Sequence, residues 1–156
     1  MKIKFCSSVI LVKDVLKSKQ FYMNLLKQEV EADYGENIMF TSGLSIWQID
    51  YAYKSIYKDI SDCIFGKNGR FELYFESDNI DEAFKLFKQS DIEFLHELIE
   101  QSWGQKAFRV YDPDGHILEV GEPMLLSAKR LLNSGFTPEQ VSKRTSIPIE
   151  TITALK

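Results

Sequence analysis

The chain has little of what several classes of function require. Its two cysteines, Cys6 and Cys63, lie far apart, without the close pairing of thiolate metal sites, and a secreted chain this short would normally carry more of them to build a disulfide framework. They read as reduced thiols. No apolar run approaches the roughly 20 residues of a membrane span. The opening Met1-Lys2-Ile3-Lys4-Phe5 is strand-like rather than a charged leader followed by an apolar core. A cytoplasmic location with no membrane partner is the resulting expectation. Positive charge is also short: the formal net charge of −4 excludes phosphate binding across the whole surface and confines any basic patch to one region. Gly66-Lys67-Asn68-Gly69 lacks the length and the hydroxyl residue of a P-loop.

What the chain does have is apolar mass. With 156 residues, 44% of them hydrophobic, and 11 Phe and 7 Tyr, it can bury the core of one domain, or of one domain with an appendage, and it is not disordered. The most informative stretch is Asp112-Pro113-Asp114-Gly115-His116-Ile117-Leu118-Glu119-Val120. Pro113 presets the second turn position, Asp114 suits the third, and Gly115 can take the positive φ that closes a hairpin. Beyond this tip Leu118 and Val120 point to one face, Ile117 and Glu119 to the other. With both faces covered, Glu119 is a buried carboxylate in need of a cation, a metal or a hydrogen-bond donor; on a solvated face it is an ordinary surface glutamate.

Taken in order, Ile3 to Val12 reads as a strand apolar on both faces, hence central, with Cys6 on its helix-facing side as a core thiol. Asp14 opens a helix to about Gln28 whose stripe is Leu16, Phe21, Tyr22, Leu25 and Leu26. Extended pieces follow at 29–34, 37–41 and 44–50. Residues 51–69 are a connector with one short helix. A strand over 70–77 then places Phe71, Leu73 and Phe75 on one side and Glu72, Tyr74 and Glu76 on the other. Asp78-Asn79 caps a helix with Ile80, Ala83, Phe84, Leu86 and Phe87 as its buried stripe. Strands at 92–99, 106–111 and 117–121 complete a repeat of the first order of elements, strand, helix and three strands. The fold class is α+β, two βαβββ modules.

After Pro123 only helical pattern remains. Met124 to Asn133 is closed by Gly135, Thr137-Pro138-Glu139-Gln140 is a capping box, and Pro148 starts a last short helix. This tail, 123–156, carries Lys129, Arg130, Lys143, Arg144 and Lys156 against Glu139 and Glu150, a net charge of +3, whereas the rest of the chain is at −7. The last two helices are too short to stand alone, which favours a packing or dimer-stabilising appendage over a DNA-reading helix-turn-helix.

The Asp14 to Tyr22 segment, Asp78-Asn79-Ile80-Asp81-Glu82-Ala83, and above all Ser102-Trp103-Gly104-Gln105 followed by Phe108 to Glu119 resemble the vicinal oxygen chelate superfamily: glyoxalase I, extradiol dioxygenases, fosfomycin-modifying enzymes and bleomycin-resistance proteins. The resemblance covers 3–122, with modules 3–50 and 70–122. It implies a curved mixed sheet folded around a cavity, with the helices outside, and pairing of two chains into a homodimer. It also implies site positions: Ser7 on the first strand, Gln48 (or Trp47, one residue away) on the fourth, Glu72 on the fifth and Glu119 on the eighth. Metal-dependent members usually have histidine where this chain has Ser7 and often where it has Glu72; His96 and His116 lie elsewhere. Serine is a weak ligand for first-row divalent metals. Glu119, Glu72 and Gln48 are the set that would hold a hard divalent cation, and the leading expectation is no cofactor.

The residues then point to a metal-free cavity. Glu72 and Glu119 face each other across it, with Tyr74, Phe5, Trp47 and Trp103 as aromatic contacts, suited to a cationic or aromatic small molecule. That is a binding protein of the bleomycin-resistance type. The alternatives are a divalent-metal-dependent lyase or dioxygenase of the glyoxalase type, and a ligand-sensing regulator with a helix-turn-helix-like tail; nucleic acid is not the expected partner.

Overall fold

A computed structural model describes residues 8–56 and 68–155. They fall into two compact units, Met1–Asn68 with Asp112–Gly115, and Gly69–Tyr111 with His116–Lys156. In the first unit the order is β1 (Ser8–Val12), α1 (Val15–Asn24), β2 (Val30–Asp33), β3 (Asn37–Phe40), β4 (Leu44–Gln48) and α2 (Ile49–Ile56). The strands form a mixed sheet in the order β1-β4-β3-β2, with β1 parallel to β4 and Val12 opposite Gln48.

Three expectations change here. Among the described residues β1 pairs only with β4 and is an edge strand, not a central one; Ile10 and Val12 are buried while Val9 is exposed. Alternation fixes which face a side chain takes, not how many strands lie alongside. Helix α1 is capped by Asp14, which accepts from the Lys17 N–H at 2.9 Å. However, its buried line is Ser18 and Tyr22, and Leu16 is 66% exposed. Tyr22 packs against Phe40 at 5.8 Å between ring centres. Finally, β4 stops at Gln48, and the helix begins at Ile49, with Asp50 in its first turn where a negative charge suits the N-terminus. Phe5, Ser7, Cys6 and Cys63 lie outside the described residues.

The Asp112–Gly115 turn belongs to this first unit. Gly115 has φ of 88° and donates its N–H to the Asp112 carbonyl at 3.0 Å, the turn expected from sequence. Its aspartates do more than turn the chain. The buried Asp112 carboxylate accepts from the Asp114 N–H at 2.9 Å and from the buried Tyr22 hydroxyl at 3.0 Å. Asp114 accepts from the Lys13 N–H at 2.9 Å and the Ser18 hydroxyl at 3.2 Å. Burial, reinforced by the Asp112 charge, pushes the Tyr22 phenol well above its usual range.

The second unit holds β5 (Asn68–Glu76), α3 (Ile80–Lys88), β6 (Phe94–Glu100), β7 (Lys106–Tyr111) and β8 (His116–Gly121), with sheet order β5-β8-β7-β6. Asn79 caps α3, accepting from the Glu82 N–H at 3.2 Å and donating to its carboxylate at 2.8 Å. One face of the sheet carries Phe108, Val110, Leu118 and Val120, all buried. There Phe84 and Phe87 of α3 meet Phe108 at 5.5 and 5.1 Å between ring centres. That apolar face is the core of the unit, and it leaves the opposite face to polar side chains.

The tail adds α4 (Met124–Asn133), α5 (Pro138–Thr145) and α6 (Ile149–Thr153). Ala128, Leu131, Val141 and Ile152 close on one another as a small core of their own. The capping box is present, with Thr137 N–H donating to Gln140 at 2.8 Å and Gln140 N–H to the Thr137 hydroxyl at 3.3 Å. The helix-turn-helix reading loses ground: α6 has 5 residues with Ile152 buried in the tail, and Arg130 and Arg144 are spent on Glu100, at 2.7 and 2.6 Å. No helix among the described residues is long and apolar enough to cross a membrane.

Glu100 gives this packing a pH signature. Burial alone would raise its carboxyl, but the hydrogen bonds from Arg130 and Arg144 overcome that and hold its pKa below the ordinary 4.5. A depressed folded-state value contributes stability that is present above the unfolded value and lost as pH falls through the lower folded one. Urea unfolding from neutral pH down to about 3 is therefore expected to show the wild type losing an advantage over Glu100→Gln below about 4.5, and parallel pH curves for the two would contradict this.

Candidate functional site

The polar face of the second sheet is built by alternation. Direct pairing of Arg109 with Glu119 and of Ala107 with Gly121 puts these residues on one side of β7 and β8. His96 of β6 is opposite Arg109. On β5, next to β8, the exposed residues among the described side chains are Glu72, Tyr74 and Glu76.

At its centre is Arg109. Its Nε donates to Glu72 Oε2 at 2.8 Å, its Nη2 is paired with Glu119 Oε2, and its Nη1 is 3.0 Å from His96 Nε2. Glu119 is 5% exposed, and the fork of the guanidinium suits several acceptors at once. The contacts of His96 match one tautomer. Its Nδ1 lies 2.8 Å from the Glu97 carbonyl, which only accepts, and its Nε2 faces a guanidinium, which only donates. The tautomer that satisfies both contacts carries its proton on Nδ1 and accepts at Nε2. Among the described side chains of this face, Arg109 is set against the three carboxylates of Glu72, Glu76 and Glu119.

A second chain of hydrogen bonds flanks the first. The Trp103 indole N–H donates to Gln105 Oε1 at 3.0 Å. The buried Gln105 amide donates to the Tyr74 hydroxyl and to the Glu122 carbonyl, both at 2.8 Å, and Tyr74 donates onward to Glu76 at 2.9 Å. Gly121 makes room for this, since a Cβ there would lie 2.8 Å from Gln105 Nε2 and 3.2 Å from the Tyr74 ring. Desolvation, then the bond to Glu76, raises the Tyr74 phenol to about 12, so the group is a neutral hydroxyl at physiological pH. Tyr74 and Trp103 remain 48% and 39% exposed as residues.

The expected site residues are therefore redistributed. Glu72 and Glu119 were expected on facing walls of an apolar cavity. They sit on adjacent strands of one sheet, and an internal arginine lies between them, because β5 and β8 are hydrogen-bonded neighbours. The counterpart of Glu119 is Arg109, where the sequence suggested a ligand's positive charge. Gln48, in the first unit, is occupied at both ends: Oε1 accepts from the Val15 N–H at 3.0 Å and Nε2 donates to the Lys13 carbonyl at 2.6 Å, clamping the turn before α1. Trp47, in the same unit, lies against Tyr51 at 6.4 Å between ring centres. Arg109, His96 and Gln105 were missed. An arginine within the Phe108-to-Tyr111 alternation looks like a surface cation until the register sets it opposite Glu119.

For a divalent metal the donor set does not fit. Glu72 and Glu119 each give an oxygen to the guanidinium, His96 turns its Nε2 lone pair to the same group, and Gln48 is bound to backbone. No cluster of three or more histidine, cysteine or acidic side chains suited to a metal occurs among the described residues.

Residues 5–125 match the family described as Glyoxalase-like domain. No functionally curated protein matches the chain. Among solved structures, a protein of unknown function from Agrobacterium tumefaciens is 33% identical with a TM-score of 0.73, over 79% of this chain and 96% of that one. A genomically encoded fosfomycin resistance protein from Listeria monocytogenes is 19% identical (TM-score 0.61, 81% and 98% covered). A lactoylglutathione lyase from Agrobacterium tumefaciens is 22% identical (TM-score 0.58, 76% and 92% covered). The last two share the fold.

Removing the central cation tests the arrangement. Arg109→Ala leaves the buried Glu119 charge uncompensated and is expected to cost about 3–5 kcal/mol in urea unfolding. Adding Glu119→Gln should restore most of it; equal losses in the single and double variants would reduce Arg109 to a packing residue.

Proposed function

The chain belongs to the glyoxalase-like domain family, and on that premise we propose that it is a small-molecule binding protein whose site works without a metal and takes a cationic aromatic ligand. The observation that carries this is the Arg109 guanidinium bonded at once to Glu72, Glu119 and His96. It fills the place between two carboxylates that a metal-dependent relative would need for its ion, while Glu72 stays partly exposed beside it. A lyase or dioxygenase acting through a metal would have to displace it first.

The roles divide by exposure. Glu119 is buried and anchors Arg109, while the Glu72 side chain is 40% exposed and can still meet a ligand's cation. Glu76 holds the Tyr74 hydroxyl, and the exposed residues Tyr74 and Trp103 offer cation–π and stacking contacts. Both rings are oriented through Gln105, so little is lost in ordering them when a ligand arrives.

We place the protein in the cytoplasm as a homodimer. Support for pairing comes from exposed apolar side chains on edge strands, Val9 on β1 and Leu95 and Ile99 on β6. Light scattering at micromolar concentration should give the dimer mass; a monomer would overturn this part.

Isothermal titration with benzyltrimethylammonium and a panel of cationic drugs is expected to find micromolar binding that falls about tenfold in Glu72→Gln, the effect of removing one charge-assisted interaction. No ligand tighter than millimolar would overturn the binding reading. Metal analysis of protein purified without chelator should find no stoichiometric divalent ion. A full equivalent, absent from Glu119→Gln, would replace this reading with the metalloenzyme.

A further inference from the structure

The family match ends at residue 125, so α4 to α6 lie beyond it except for the first two residues of α4. Yet the tail grips the segment that carries Trp103 and Gln105. Arg130 of α4 donates from Nη2 to the Gly104 carbonyl at 2.5 Å and to Glu122 at 2.6 Å, and from Nη1 to Glu100 at 2.7 Å. Arg144 of α5 donates from Nε to the Ser102 carbonyl at 3.2 Å and from Nη2 to Glu100 at 2.6 Å. Two arginines thus hold two carbonyls of one turn, those of Ser102 and Gly104, together with the carboxylate that ends β6.

The turn is shaped for that grip. Gly104 has φ of 91°, and a Cβ on it would lie 2.7 Å from Leu131 Cδ1 and 3.4 Å from Arg144 Nε, so any other residue here would strain the backbone and push the Leu131 side chain aside. The turn closes on itself through the Gln101 N–H to the Gln105 carbonyl at 2.7 Å and the Gly104 N–H to the Gln101 carbonyl at 2.8 Å. Glu122, 5% exposed, ties the two ends: its carboxylate accepts from Arg130 and from the Lys106 N–H at 2.9 Å, and its carbonyl accepts from Gln105.

We propose that the C-terminal helices are a positioning element of the ligand site. Arg130 and Arg144 fix the Gln101–Gln105 turn, and through the Trp103 indole and the Gln105 amide they set the orientation of the Tyr74 ring on the polar face. Neither arginine touches the ligand in this scheme. Each acts through the turn, and the tail's own small core supplies the rigid base from which they reach. The proposal rests on the reading of Tyr74 and Trp103 as ligand contacts.

The test uses the full chain labelled with 5-fluorotryptophan, which reports on two positions, Trp47 and Trp103. Trp47 lies in the other unit and serves as the internal control. In Arg130→Gln and in the milder Arg144→Gln, the Trp103 fluorine resonance is expected to move while that of Trp47 stays, and Arg130→Lys should restore part of the shift. Affinity for benzyltrimethylammonium should fall about tenfold in the same variants, as expected when a ring that meets the ligand is turned out of position. A Trp103 resonance unmoved in a folded Arg144→Gln protein would overturn the proposal, as would a moved resonance with unchanged affinity. If the wild type does not bind the probe at all, the ligand reading fails, and with it the role assigned to the turn, while the fluorine shift still shows whether the tail holds Trp103.

Discussion

A carboxylate almost closed off from solvent is tolerated only with a partner, and the Glu119–Arg109 pair is the constraint that organises the second unit. Once Arg109 is committed to Glu119, its remaining N–H groups reach Glu72 on β5 and His96 on β6. One guanidinium thereby links side chains from all four strands of the sheet. It also orients the His96 ring through Nε2. The cost of burying the pair is offset by giving each of the three guanidinium nitrogens an acceptor, which a lysine in the same place would not do.

The apolar opposite face makes this possible. Phe108, Val110, Leu118 and Val120 pack under α3, so the alternate residues of the same strands are forced to the other side, where they must satisfy one another. Gly121 and Ala107 keep that side low, and the Gln105 amide lies over Gly121 to reach Tyr74. The ionic cluster and the Trp103–Gln105–Tyr74 chain are therefore two consequences of one strand register. They differ in exposure: the first is centred on the buried Glu119, and the second ends on the exposed residues Tyr74 and Trp103.

The hairpin tip shows how a local signal acquires a second role. Asp112 and Asp114 read as turn formers, and they are, but their carboxylates also receive the Tyr22 hydroxyl, the Ser18 hydroxyl and the Lys13 N–H. Gln48 is the converse case. Its position on β4 marked it as a possible ligand, whereas its amide is consumed by the backbone of the turn before α1.

By itself the sequence determined the order of elements, both modules, the caps at Asp14, Asn79 and Thr137, the Gly115 turn, and the suspicion attached to Glu119. These depend on period, turn chemistry and capping, which are local. It also carried the family resemblance, because the Trp103-Gly104 segment and the Asp-Pro-Asp-Gly turn are contiguous. Only the tertiary structure decided what Glu119 meets, that β1 is an edge among the described residues, that Leu16 faces solvent, and that the tail's arginines are spent on the Ser102–Gly104 turn. Each of those depends on which strand or helix lies alongside, and an ion pair between residues 109 and 119, or a bond from 130 to 104, leaves no periodic trace in the chain.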